Sequence, residues 1–169
     1  MIGGTPAPPE GVFARASRRF NADGSDWWYP EGFELPLQTH PLCGDVLEAL
    51  RIANGVPQWG RELKEGILPP EAGLDATDIS YQKGCYIGQE VISRIKFAGK
   101  VNKRLVCLEL TADSATDDLR LLDENGAVAG EITSVSPIAT GGTLAALAYV
   151  KRGAERVFHN GRELRLVAC

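Results

Sequence analysis

The stretch Lys83-Gly84-Cys85-Tyr86-Ile87-Gly88-Gln89-Glu90 holds the residue types best suited to chemistry in this chain. Gly84 and Gly88 bracket a cysteine and a tyrosine, so the backbone can turn sharply and approach a ligand without a Cβ in the way. Helical spacing follows at once: Val91, Ile92 and Ile95 share a stripe, and Glu90 stands four residues before Arg94. Glu90 falls in the first turn, where a carboxylate suits the positive end of the helix dipole. Cys85 thus lies just ahead of a helix N-terminus and two residues after a lysine, both of which favour a thiolate and make Cys85 the candidate reactive residue. The alternative is a small buried apolar residue at a tight loop.

The octapeptide resembles the signature of the folate-binding YgfZ-type proteins, relatives of the glycine-cleavage aminomethyltransferase (T-protein) that support iron–sulfur enzymes. The resemblance runs from about Leu50 to about Gly153. It takes in Arg51-Ile52-Ala53-Asn54-Gly55-Val56-Pro57 and Leu68-Pro69-Pro70-Glu71-Ala72-Gly73-Leu74, then Gly130-Glu131-Ile132-Thr133-Ser134 and Leu147-Ala148-Tyr149-Val150. Such a resemblance implies a partial α/β folate-binding region followed by a small C-terminal antiparallel β-barrel, an α+β fold. It implies tetrahydrofolate or a derivative as cofactor, and iron–sulfur proteins or their assembly machinery as partners. Relatives carry a long N-terminal half that helps build the folate cavity and has no counterpart here. The catalytic aspartate of the aminomethyltransferases lies in that half, and Ala53 stands where those enzymes often have a glutamate. Both departures weaken a transferase reading, which remains the alternative: transfer of a one-carbon unit to tetrahydrofolate.

Within this frame Glu71 is the candidate pterin ligand, since relatives use a glutamate at the matching position. Pro69 and Pro70 hold its backbone on a defined path, and one carboxylate can accept hydrogen bonds from a pterin ring N–H and its exocyclic amino group together. Lys100 aligns best with an arginine that helps bind folate in aminomethyltransferases. A lysine there attracts the folate carboxylates as a point charge, without the bidentate fork. Trp59 has two readings, a wall stacked on the pterin or a core tryptophan. Arg94, Lys96, Lys103 and Arg104 make a local basic patch that reads as a solvated helix end, a seat for a polyglutamylated tail, or a contact for an RNA backbone.

The 169 residues can bury a real core in one domain or two small ones. Hydrophobic content of 44% and charged content of 24% are those of a globular protein, and a net charge of −4 argues against a surface built throughout for nucleic acid. No apolar run reaches membrane-span length and the opening residues lack a signal pattern, so the expected location is cytoplasmic. Cys43, Cys85, Cys107 and Cys169 include no Cys-x-x-Cys pair, and only His40 and His159 could join them. Neither a built-in metal site nor a disulfide framework is expected.

The elements that must position these residues follow from periodicity and turn chemistry. The chain to about Glu10 reads as a loose leader. Val12–Phe20 and Trp27–Tyr29 read as a hairpin with aromatics in the core. A helix is expected from about Cys43 to Asn54, with Val46, Leu47, Leu50 and Ala53 as its apolar stripe and Gly55 as its cap. Beyond Lys100 short strands are expected at 104–110, 119–122, 128–135, 144–150, 156–159 and 163–167, turned by Asn125-Gly126 and Asn160-Gly161. These predict a small barrel. The domain boundary is placed near Gly99, giving 1–99 and 100–169. The uncovered edges of the first part predict self-association.

Overall fold

The computed structural model describes residues 7–17, 20, 23–34, 42–99, 101–114 and 118–168. Two antiparallel strands, β1 (Phe13–Ser17) and β2 (Gly24–Trp28), form a separate hairpin with Phe13 opposite Trp28. The helix α1 (Gly44–Ala53), a 3-10 turn (Pro69–Ala72) and the helix α2 (Gln89–Ala98) follow. Seven strands complete the chain: β3 (Lys103–Thr111), β4 (Arg120–Leu122), β5 (Val128–Val135), β6 (Thr143–Lys151), β7 (Val157–His159), β8 (Arg162–Leu164) and β9 (Leu166–Ala168). They make one antiparallel sheet in the order β8-β7-β4-β5-β6-β3-β9, which curls into a nearly closed barrel. Arg162 on β8 donates to the Thr111 hydroxyl on β3 at 2.9 Å, tying the two sides together.

The apolar runs of β3 and β6 are long because both of their faces are covered. Val106, Leu108 and Leu110 of β3, with Ala146, Ala148 and Val150 of β6, point into the barrel against Leu121, Ile132 and Val157. The alternate residues Leu105 and Cys107, with Ala145, Leu147 and Tyr149, form a second cluster outside it with Ile52 of α1 and Ile67. Full burial of a Leu, Ile or Val contributes about 1.5–3 kcal/mol, so this outer cluster is what fixes α1 on the barrel. Helix α1 ends in a Schellman motif. Gly55, at φ 67°, donates to the Ile52 carbonyl and Val56 to the Arg51 carbonyl.

Several sequence expectations are overturned. The face of α1 turned inward carries Arg51 and Ile52, whereas Leu47 and Leu50 are each 39% exposed. A buried polar cluster described below takes the inward face, so the apolar stripe is left outside. Of the hairpin aromatics, Phe13 and Trp28 are not core but form a tilted ring pair at 5.5 Å on an exposed face, whereas Trp27 is half-buried. Cys43 is the exposed residue preceding α1. The strand expected at 163–167 is two short strands broken at Arg165. No helix among the described residues is long and apolar enough to cross a membrane.

Candidate functional site

The centre of the polar architecture is Glu62, in the turn that follows α1. Its side chain is fully buried, and all four of its acceptor positions are taken. Oε1 accepts from the Thr133 and Ser134 hydroxyls, each at 2.7 Å. Oε2 accepts from Arg51 Nη1 and from the Gln58 backbone N–H, each at 3.0 Å. Successive residues on a regular strand face opposite ways, yet Thr133 and Ser134 reach one oxygen. A bulge in the β5–β6 pairing between Ile132 and Ser134 makes this possible by turning Thr133 out of register.

Arg51 completes the cluster from α1. Its guanidinium grips Glu48 with two bonds of 2.8 Å, donates to the Val56 carbonyl at 2.6 Å and to Ser134 Oγ at 2.8 Å. Burial alone would raise the Glu62 carboxyl. The hydroxyls of Ser134 and Thr133, the Gln58 N–H and the Arg51 charge overcome it and hold the group below the ordinary carboxylate range. Glu48 is likewise lowered, chiefly by its hydrogen bonds from Arg51.

Tyr149 joins this cluster to Glu71. Its hydroxyl donates to the Glu62 backbone carbonyl at 3.1 Å, and Lys103 Nζ lies 5.0 Å from its ring centroid. Burial, then the negative charges of Glu62 and Glu71, push the phenol far above its usual range. Glu71 is 4% exposed within the 3-10 turn. Its Oε2 accepts from the Leu68 N–H at 3.2 Å, and among the described residues Oε1 has no hydrogen-bond partner. The turn stops at Gly73, whose φ of 76° suits glycine.

Helix α2 contacts the same 3-10 turn that carries Glu71, and the Cys85 loop leads into its N-terminus. Cys85 is exposed. Gly88 caps α2 at φ 86°, a left-handed conformation that disfavours any side chain, whereas Gly84 is not in that region. The Gln89 N–H donates to the Tyr86 carbonyl at 3.2 Å, closing the loop onto the helix start, and Glu90 pairs with Arg94. Lys83 lies over the Tyr86 ring at 4.9 Å and Lys96 over Tyr81 at 3.6 Å. The basic patch is therefore dispersed, with Arg94, Lys96 and Lys103 each engaged locally. Trp59 is 80% exposed, which overturns the core reading and leaves its ring free to stack. Lys100 lies outside the described residues. Among those residues no group of three or more His, Cys, Asp or Glu could hold a metal ion.

Thr133, Ser134 and Tyr149 stood within the stretches that carry the resemblance, but nothing in their spacing assigned them to Glu62. Only the bulge and the return of residues 56–63 across the barrel bring them together. No family model matches the chain. By structure it is similar to the glycine cleavage system aminomethyltransferase T of Bartonella henselae, with a TM-score of 0.62 at 18% identity over 96% of this chain and 50% of that one. Fold and layout are therefore those of the aminomethyltransferase class. By sequence it is 35% identical over 104 residues to a tRNA-modifying protein YgfZ of Colwellia psychrerythraea, covering 59% of this chain and 32% of that protein. It is 36% identical over 83 residues to a mitochondrial iron–sulfur cluster assembly factor IBA57 homologue of Aspergillus fumigatus, covering 47% and 19%. A putative chloroplastic transferase of Arabidopsis thaliana is 35% identical over 117 residues, covering 69% and 26%. The chain is a YgfZ-type member of the glycine-cleavage T-protein superfamily, and it spans well under two thirds of the length of these curated relatives.

Proposed function

We propose that this chain is part of a folate-binding accessory protein that supports iron–sulfur cluster assembly or repair, with Cys85 as its reactive residue and Glu71 as its pterin ligand. The observation that carries the folate reading is Glu71 itself, a carboxylate 4% exposed with no cationic partner and one oxygen uncommitted among the described residues. A carboxylate oxygen without a partner among the described residues can accept from a ligand. The donor pair on a pterin edge supplies what Glu71 lacks, so the residue fits the group. Tetrahydrofolate, when bound, supplies a carrier for one-carbon units. The chain's own contribution is to bind the pterin edge at Glu71 and to present an exposed thiol at Cys85.

In this reading residues 1–99 contribute the C-terminal part of the folate-binding region and 100–169 the barrel, with the boundary near Gly99. Lys100 and the exposed ring of Trp59 are the further proposed folate contacts. The names of the relatives support the iron–sulfur role, and the aminomethyltransferase fold supports the folate. Calorimetric titration with a reduced folate tests the ligand. Binding by these 169 residues alone is expected to be weak, since a shallow site leaves little of the interaction energy as affinity. Glu71→Gln turns one acceptor into a donor facing the pterin amino group and is expected to abolish the residual heat. Equal heats for both proteins would sink the assignment of Glu71.

A further inference from the structure

The loop that carries Trp59 is more tightly built than an exposed loop needs to be. Leu63 and Arg61 donate backbone N–H groups to the Gln58 carbonyl at 3.0 and 3.2 Å, and Gly60 donates to the Leu63 carbonyl at 2.8 Å. Trp59 and Leu63 form a β-bridge across this turn. The turn is then fastened at both ends through one residue. The Glu62 carboxylate accepts the Gln58 N–H, while the Glu62 carbonyl accepts the Tyr149 hydroxyl from β6. Arg61 pairs with Glu48 of α1 at 3.0 Å on the outside. A large aromatic side chain at 80% exposure thus stands on a turn locked to the barrel by a fully buried carboxylate.

We propose that Glu62 is a positioning residue, through which the barrel holds the Gln58–Leu63 turn rigid and presents Trp59 as a fixed stacking surface for a planar heteroaromatic ring. An exposed ring on a slack turn loses conformational freedom when a ligand stacks on it, and that loss subtracts from affinity. Locking the turn beforehand removes the loss. Thr133 and Ser134 belong to this device because they fill Oε1 and so aim Oε2 at the Gln58 N–H. The identity of the ring as a pterin rests on the folate reading above. The rigidity of the turn does not.

Two measurements on ligand-free protein test the proposal. In a Trp27→Phe, Trp28→Phe background, time-resolved fluorescence anisotropy reports Trp59 alone. Amide hydrogen exchange reports the Gln58, Gly60 and Leu63 N–H groups. Glu62→Gln is nearly isosteric, and Arg51 keeps its two bonds to Glu48, so the barrel is expected to remain folded. In that variant Trp59 should gain a fast local rotation, and the three amides should exchange about tenfold faster, as the loss of one buried charge-assisted hydrogen bond implies. Protection in β3 and β6 should fall only as far as the global stability read by denaturant titration, whereas the three turn amides should show the added local opening. Thr133→Val should give the same change at smaller amplitude and Thr133→Ser, which keeps the hydroxyl, should not. This pair decides the matter if Glu62→Gln proves too unstable to compare. Fast Trp59 rotation already in the parent protein, or unchanged rotation and exchange in both Glu62→Gln and Thr133→Val, overturns the proposal. A reduced folate that leaves Trp59 emission unaltered while the variants loosen the turn contradicts the folate reading alone.

Discussion

At the scale of single residues, Glu62 and Arg51 show how a buried charge pair specifies geometry. Removing one partner of such a pair costs about 3–5 kcal/mol when the other is left alone. Here Arg51 retains Glu48, so Glu62→Gln is expected to lower stability by about 2–3 kcal/mol. A denaturant titration of the two proteins at pH 7 measures this. The pH dependence has a definite sign. The folded-state values of Glu62 and Glu48 lie below those of the unfolded chain. Their contribution is therefore complete above the ordinary glutamate value of about 4.3 and is lost as pH falls through the lowered folded values. The parent protein should lose Tm steeply below about pH 4, and Glu62→Gln should start lower and fall less steeply. Identical slopes would show that Glu62 carries no linked proton. Little of this was legible beforehand, because a glutamate in Arg61-Glu62-Leu63 has the same sequence signature whether solvated or buried. The pair Glu90–Arg94 was legible, since both partners lie one helical turn apart. Accessibility orders the thiols. Cys107 is half-buried in β3 whereas Cys85 and Cys43 are both exposed, so alkylation followed by mass spectrometry should modify Cys107 last.

At the scale of elements, β5 shows why one strand was readable and its function was not. The run Val128–Val135 has strand composition and matches the observed strand from end to end. The bulge near Thr133 follows from pairing with β6, a partner that local composition does not name. A second consequence of that pairing falls on Gly130. A Cβ there would run into the Tyr149 carbonyl oxygen, a backbone atom that cannot swing aside. Gly130→Ala is expected to cost about 2–3 kcal/mol by forcing β5 and β6 apart, read as a drop in denaturation midpoint. An unchanged midpoint would show that the strands yield freely. Helix α1 was placed correctly, but its inward face was misread. Hydrophobic spacing favoured Leu47 and Leu50, whereas the inward side of the helix meets the Glu62 carboxylate and the Ser134 hydroxyl alongside Leu105 and Leu147. The polar side of α1 therefore turns inward around Ile52. The barrel itself was legible from short strands and Asn-Gly turns, as was the cap at Gly55.

For the whole molecule, the outward side of α1, Phe13 and Trp28 of the hairpin, Trp59 and Phe97 of α2 are exposed apolar surface on the part of the molecule before β3. Such surface and the open edges of a two-stranded hairpin favour association with another chain. Self-association is accordingly expected at micromolar concentration, and a monomeric mass by light scattering would count against it. The most direct measurement of the central claim concerns Cys85. In cells deprived of the parent protein, the activity of an iron–sulfur enzyme is compared on return of the parent or of its Cys85→Ser variant. Serine keeps the size of the side chain at an exposed position but forms no thiolate near neutral pH. The account predicts loss of the iron–sulfur activity with an unchanged Tm and unchanged folate binding, and full activity from the serine variant would contradict it.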